Sequence, residues 1–214
     1  MAILANALPA MILPRKPHAV VFDMDGLILD TEPLYRDAMT SVARDCGLDM
    51  PLELYLTTIG LSGEAIRALF SERFGKAFDF DAFWNRASKQ FYEMAVLPLR
   101  LKAGVVELLD VLDELGLPRA IATSSRHEDV RHHLSAHGLL DRFQAIVAQG
   151  DYVRGKPNPD PFLKAAEQLG VEPALCLALE DFYNGVRAAF HAGMMTIMVP
   201  DLLAPTTEME ELCV

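Results

Sequence analysis

The chain is short of positive charge, cysteine and tryptophan, and each shortage narrows what it can do. Its 214 residues carry 19 Lys and Arg against 30 Asp and Glu, a formal net charge of −11. That balance argues against sequence-independent binding of nucleic acid and against docking on anionic membrane surfaces, since both draw on a surplus of basic side chains. The three cysteines, Cys46, Cys176 and Cys213, form no CxxC pair and no metal-type spacing. Free thiols in a reducing cytoplasm are the expected state. No stretch reaches the roughly 18 apolar residues of a membrane span. Residues 1–17 are apolar but interrupted by Pro9, Pro14 and Pro17, and the basic pair Arg15-Lys16 follows the apolar part. A secretory signal carries its charge first, so these residues are expected to form an N-terminal tail. Internal repeats and low-complexity segments are missing as well. What is present is a composition of 51% hydrophobic and 23% charged residues, which predicts a packed core in one large or two small domains. If so acidic a protein handles an anionic substrate, a metal ion or a few focused cations must offset its own field.

The stretch that carries most information is His18-Ala19-Val20-Val21-Phe22-Asp23-Met24-Asp25-Gly26. Its apolar part is too short for a helix, and its valines suit a strand buried on both faces. A buried strand that ends in Asp-x-Asp-Gly sets two acids at the carboxyl edge of a sheet, where open α/β sheets bind ligands. Carboxylates at i and i+2 suit two roles, one attacking and one moving protons. The plainer reading of the same residues is an Asx-type turn that closes a strand.

Leu34 to about Cys46 follows a helical pattern, with Asp30 or Thr31 placed to cap it and Gly47 to stop it. Residues 48–97 hold almost no strand signal, and apolar side chains recur at helical spacing through Ile66, Leu69 and Phe70 and again through Phe80, Phe83, Ala87 and Phe91. An all-helical insertion over residues 31–97 is predicted, with Trp84 in its core instead of serving as a binding platform. From Gly104 onward helices and strands alternate. Helices are predicted over Val105 to Leu115, Glu128 to Ala136, Asp160 to Gly170 and Gly185 to Ala192. Strands are predicted over Arg119 to Thr123, Ala145 to Ala148, Leu175 to Leu179 and Met195 to Val199. This order predicts an α/β fold: a Rossmann-like parallel sheet core, built from residues 18–30 and 98–214, that carries the small helical unit. His127, His132, His133 and His137 fall on one helix and read as a solvated face, because no acid or cysteine stands at ligand spacing on a second element.

Parallel strands bring their carboxyl ends to one edge, so Asp23-x-Asp25, Thr123-Ser124, Lys156 and Glu180-Asp181 are expected to converge. Hard oxygen ligands of this kind suit Mg²⁺, which keeps waters and binds substrate phosphate. Thr123 and Lys156 suit phosphate oxygens, helped by N–H groups just past a strand end. Any one of these elements is common; four in order, each at a strand end, form a specific pattern.

These motifs, Asp23-Met24-Asp25-Gly26, Thr123 after an apolar strand, Lys156-Pro157 and Glu180-Asp181, resemble those of the haloacid dehalogenase superfamily, and the resemblance runs from residue 19 to about residue 200. Asp30-Thr31-Glu32-Pro33 and the helical insertion resemble the subfamily with a small α-helical cap, which holds phosphoglycolate-type and sugar-phosphate phosphatases and β-phosphoglucomutase. The resemblance implies that Asp23 attacks phosphorus while Asp25 protonates the leaving oxygen, and that Asp25 then deprotonates the water that hydrolyses the aspartyl phosphate. It implies Mg²⁺ on Asp23, the backbone carbonyl of Asp25 and Asp181, with Glu180 nearby. Thr123, Lys156 and the backbone amides after Asp23 and Thr123, those of Met24 and Ser124, would cradle the phosphoryl group of a small phosphorylated metabolite, a sugar or polyol phosphate. Dehalogenases resemble the same fold but lack an acid at the Asp25 position, since a halide needs no proton to leave.

The chain departs from the family pattern at three residues. Phe182 follows Glu180-Asp181 where a small hydroxyl is usual. It bears on metal affinity and opens a rival reading, a weakened phosphate-binding regulatory protein. Within Gly60-Leu61-Ser62-Gly63-Glu64, Gly63 stands where mutase-like members have an arginine, and Tyr35 stands where the mutase has a histidine. Both favour hydrolysis over the phosphomutase alternative. Glu32, in the connection to the helical unit, and Arg126, three residues after Thr123, are further candidates to face the substrate. Only residues 202–214 follow Asp201, which is short for the family and leads to the expectation of a truncated C-terminus.

Overall fold

The computed structural model describes residues 13–59, 63–95 and 99–214. Residues 1–12 of the expected tail, the segment 60–62 and the expected boundary at residues 97 and 98 lie outside the described residues. Five strands, β1 (Ala19–Phe22), β2 (Arg119–Ala122), β3 (Ala145–Val147), β4 (Cys176–Glu180) and β5 (Met195–Met198), form one sheet in the order β3-β2-β1-β4-β5. Every neighbouring pair is parallel. The chain runs from β1 outward to β3 on one side, then crosses back to β4 on the other. The order therefore reverses beside β1, and in open α/β sheets the crevice outside the strand ends at such a reversal binds ligands.

Side-chain alternation in β1 divides the core into two layers. Val20 and Phe22 join Ile121 and Leu179 on one face, where α5 (Val105–Glu114) and α6 (His127–Ala136) contribute Leu109, Val130 and Leu134. Ala19 and Val21 join Ala120, Ala122 and Ala178 on the other, packed on Phe162, Ala165 and Ala166 of α7 (Asp160–Leu169) and on Ala188 and Ala189 of α8 (Tyr183–His191). This second layer is built mainly of methyl groups, so its helices lie close on the sheet. Gly170 closes α7 in the left-handed conformation (φ 66°), which glycine adopts without steric cost. A short helix absent from the sequence expectation, α9 (Thr207–Leu212), follows β5 and seats Met209 in full burial. Thr206 caps it by accepting a hydrogen bond from the Met209 amide at 3.3 Å.

Helices α1 (Glu32–Asp45), α2 (Leu52–Thr58), α3 (Gly63–Phe74) and α4 (Phe80–Met94) have a hydrophobic cluster of their own. Its centre is Phe70, fully buried and in ring contact with Phe74, Phe78, Phe80 and Phe83 at centroid distances of 5.4–6.0 Å. Trp84 is not in that core, contrary to expectation. It sits at the edge of the α4 stripe, stacked on Phe80 at 5.6 Å and 36% exposed, because Phe80, Phe83, Ala87 and Phe91 fill the interior. The two connections to this unit run side by side: the Asp30 amide donates to the Arg100 carbonyl and the Lys102 amide to the Ile28 carbonyl, at 2.8 and 2.9 Å. Lys102 Nζ then ties Asp30 (3.3 Å) to Asp201 (2.6 Å).

The histidines of α6 do not form one solvated face. His133 is buried, His127 Nε2 pairs with Asp151 at 2.8 Å and His137 Nε2 lies 2.6 Å from the Leu99 carbonyl. Among the described residues no helix is long and apolar enough to cross a membrane. Phe70→Ala should remove the centre of the helical unit's core at a cost of about 3–5 kcal/mol, read as a lower urea midpoint by circular dichroism; an unchanged midpoint would mean the unit does not depend on this ring cluster.

Candidate active site

The chemistry gathers at or just past the ends of β1, β2 and β4 and in the loop that follows β3. The Asp23 amide donates to the Leu179 carbonyl at 3.0 Å, so the ladder holds Asp23 as firmly as the strand itself. The chain then turns through Met24, whose carbonyl accepts from the Ile28 and Leu29 amides at 2.9 and 3.0 Å. Gly26 adopts φ 80°, and a Cβ there would collide with the Asp181 carboxylate. Only glycine allows this turn to come so near β4. Glu180 closes β4 and Asp181 follows, with Gly185 of α8 against the Glu180 carboxylate so closely that a Cβ would again collide. On the other side of β1, the Thr123 amide donates to the Val147 carbonyl at 3.0 Å, and Tyr152 donates to the Thr123 carbonyl at 3.1 Å. The loop after β3 carries Lys156 inward.

These residues do converge. Lys156 Nζ bridges Asp23 Oδ1 at 2.5 Å and Glu180 Oε1 at 2.6 Å, with its side chain only 10% exposed. Burial alone would lower its pKa, but the two carboxylates outweigh that and hold the ammonium well above its ordinary value. Asp23, Glu180 and Asp181 each offer a carboxylate oxygen, and these atoms lie within 4.8 Å of one another. Glu180 Oε2 and Asp181 Oδ1 are buried without a hydrogen-bond partner. Burial drives both carboxyls upward in pKa, and the charge of Asp23 pushes Asp181 further. Orphaned carboxylate oxygens in a dry site cost free energy that a hard cation relieves, so the donor set fits Mg²⁺.

Asp25 has a different environment. Its Oδ2 accepts from Ser125 Oγ at 2.6 Å and from Thr123 Oγ1 at 3.3 Å. Burial first and the Asp23 charge second push its pKa up to about 6. Two carboxyls one residue apart thus have unlike surroundings, one tied to a lysine and the other to two hydroxyls. Ser125 was not among the residues singled out in the sequence. Its signal was there, two positions after Thr123 at the same strand end, but a run of Thr-Ser-Ser does not say which hydroxyl turns inward.

The acids line a cavity of about 390 Å³. Thr123, Ser124 and Lys156 line it together with Asp23, Asp25, Glu180 and Asp181, and so do Glu32, Tyr35, Trp84 and Phe182. Glu32 opens α1 and accepts a hydrogen bond from Tyr55 at 2.7 Å; burial raises its pKa. Arg126, a candidate to face the substrate with a plain surface arginine as the alternative, is exposed and does not line this cavity. It pairs with Glu128 (2.5 Å) and Asp129 (2.9 Å) and lies 4.4 Å over the Tyr92 ring. Phe182 precedes α8 at the cap position, makes no capping bond and stacks parallel to Tyr183 at 5.9 Å.

Residues 17–193 match the family described as haloacid dehalogenase-like hydrolase. The chain is 32% identical over 200 residues to hexitol phosphatase B of Escherichia coli K12, covering 89% of this chain and 86% of that protein. It superposes on CbbY of Rhodobacter sphaeroides, solved in complex with phosphate, with a TM-score of 0.68 at 29% identity and 87% coverage of each chain. A β-phosphoglucomutase of Clostridium difficile shares the fold, with a TM-score of 0.72 at 21% identity over 92% of this chain and 88% of that one.

A linkage follows from the raised carboxyl pKa values. Asp25, Glu180 and Asp181 bind protons more tightly folded than unfolded, so their contribution to stability is full below their ordinary range. It is lost as pH rises through the folded values, about 6 for Asp25. Urea unfolding of metal-free protein should therefore show stability falling from pH 5 to 8, with a shallower fall in Asp181→Asn. An identical slope in the variant would show that Asp181 does not hold a raised pKa.

Proposed function

The chain belongs to the haloacid dehalogenase-like hydrolases, and on that premise we propose that it is a Mg²⁺-dependent phosphatase of a small phosphomonoester, a sugar or polyol phosphate. The observation that carries this reading is the unlike pair at the end of β1: Asp23 held by Lys156 and Asp25 held by Ser125 and Thr123, in one cavity. An Asp23 oxygen attacks phosphorus as the bond to the leaving oxygen breaks, and Asp25 gives that oxygen its proton. Asp25 then takes a proton from water, whose oxygen attacks the aspartyl phosphate, releasing inorganic phosphate and restoring Asp23. A carboxyl with a pKa near 6 suits both directions of transfer near neutral pH. Asp23, Glu180 and Asp181, with the Asp25 backbone carbonyl, would hold Mg²⁺, which supplies the positive charge that lets so acidic a cavity admit a phosphoryl group. Thr123, the Ser124 amide and Lys156 orient the equatorial oxygens. The helical unit, joined by paired connections at Asp30 and Lys102, acts as a cap over the cavity, and its closure would exclude water until the first transfer is complete.

A phosphomutase would share the first half of this sequence but must grip a second phosphate and shield the intermediate. Gripping calls for a planar, permanently charged donor such as arginine, whereas α3 begins at Gly63, with no side chain to offer. Burial holds the Tyr35 hydroxyl well above its ordinary pKa, which makes it a poor proton carrier near neutrality. Both residues support hydrolysis. The free-thiol pattern and the acidic surface suit a cytoplasmic enzyme of small metabolites.

Asp23→Asn should lower release of phosphate from p-nitrophenyl phosphate by at least about a thousandfold while the fold is kept. Asp25→Asn should instead accumulate a phosphoenzyme on the same compound, visible by mass spectrometry, because an aryl oxide leaves without a proton and the second step lacks its base. Substantial turnover by Asp23→Asn would refute the aspartyl-phosphate route. In a phosphorus NMR time course with glucose 1-phosphate and Mg²⁺, free phosphate should accumulate; glucose 6-phosphate in excess of it would restore the mutase.

A further inference from the structure

The catalytic cavity continues into a second one, of about 180 Å³, that runs into the helical unit. The two share four lining residues, Glu32, Tyr35, Trp84 and Phe182. Beyond them the second cavity is walled by Met39, Ile59 and Ile66 together with Tyr55 and Thr58. Among the described residues that line either cavity, Lys156 is the sole cation, and it is committed to Asp23 and Glu180. Arg36, nearby on α1, is turned to Asp37 at 2.8 Å and lines neither space. Residues 60–62 and 96–98 contain no basic side chain in the sequence.

Trp84 and Phe182 come to this junction from opposite parts of the chain. Trp84 projects from α4 at the edge of its packed stripe, and its ring is fixed by Phe80 at 5.6 Å and 22°. Phe182 sits in the turn between β4 and α8, directly after Asp181, and its ring is fixed by Tyr183 at 5.9 Å and 15°. Each is an aromatic surface at a place where helix packing and helix capping would not ask for one. Glu32 adds one carboxylate, of which one oxygen takes the Tyr55 hydroxyl, leaving acceptor capacity for a ligand.

We propose that this junction is the leaving-group subsite, and that it selects an uncharged cyclic sugar, gripped by its C–H faces on Trp84 and Phe182 and anchored by a hydroxyl donated to Glu32. This rests on the phosphatase reading. Aromatic faces accept the apolar side of a sugar ring, and a carboxylate accepts its hydroxyls. A second phosphate or a carboxylate on the leaving group meets Glu32 and finds no cation, so the same arrangement rejects bisphosphates and phosphorylated acids. In this reading Phe182 has left the metal's surroundings to become a wall for the substrate.

The test compares glucose 6-phosphate and ribose 5-phosphate with fructose 1,6-bisphosphate and phosphoglycolate, all with Mg²⁺. At least one of the two neutral sugar monophosphates should exceed both anionic leaving groups in kcat/KM by about tenfold or more. For that substrate, Trp84→Ala and Phe182→Ala should each raise KM several-fold with a smaller change in kcat, and Trp84→Phe and Phe182→Tyr should restore it. Glu32→Gln should narrow the discrimination against phosphoglycolate. Equal or better use of phosphoglycolate or the bisphosphate overturns the proposal, as does an unchanged KM in both ring-to-alanine variants. If none of the four yields phosphate while p-nitrophenyl phosphate does, the subsite is wrong and the phosphatase stands. If p-nitrophenyl phosphate is inert as well, both fall.

Discussion

The structure depends on the burial of Asp23, Asp25, Glu180 and Asp181 around a single lysine. Charges of one sign are expensive to collect in a dry site, and the molecule meets the cost in two ways. Lys156 neutralises the pair it touches, and the remaining carboxyls hold protons more tightly than exposed ones do. Close glycines complete the arrangement: Gly26 against Asp181 and Gly185 against Glu180 let backbone stand where a side chain would force the acids apart. An environment that keeps anions this near one another discriminates strongly between cations and anions arriving from outside. A phosphoryl group enters such a place only in company with positive charge.

Much of this was legible in the chain because it depends on local pattern plus one topological rule. The strands, the helical insertion and the convergence of Asp23, Asp25, Thr123, Lys156, Glu180 and Asp181 follow from apolar runs, their breakers and the parallel order of the sheet. What escaped depends on direction within an element. Ser125, not an outlying arginine, turns toward Asp25, while Arg126 swings out to Glu128, Asp129 and Tyr92. Trp84 and His133 exchanged their expected environments, the first left at the surface of its helix and the second buried within one. Helical spacing assigns a face, but the bulk of the neighbours decides which member of that face is covered. Helix α9 was missed for a related reason: six residues with three glutamates carry little apolar signal, and a single buried Met209 holds them.

The helical unit has its own aromatic core, yet it contributes Glu32, Tyr35 and Trp84 to the cavity beside the acids. Met39, Tyr55 and Ile66 belong to that core and also line the second cavity, so the unit's packing and its cavity surface share residues. Phe70 and its ring neighbours fill the centre of the unit, away from the acids. Lys102, clamped between Asp30 and Asp201, ties the paired connections to the segment that follows β5 at the edge of the sheet.

The layer of alanines behind the sheet sets the geometry of the front. Ala120, Ala122 and Ala178 let α7 and α8 settle near the strands, and those two helices begin where the Lys156 loop and the Glu180–Asp181 turn end. Phe162 of that layer lies 5.2 Å from the Lys156 ammonium, so the packing of the back layer bears directly on where the lysine stands. Adaptation of this enzyme has a coarse control in the cavity walls and a fine one in the back layer. There, an added carbon would alter the aperture of the charged site without touching any residue that reacts.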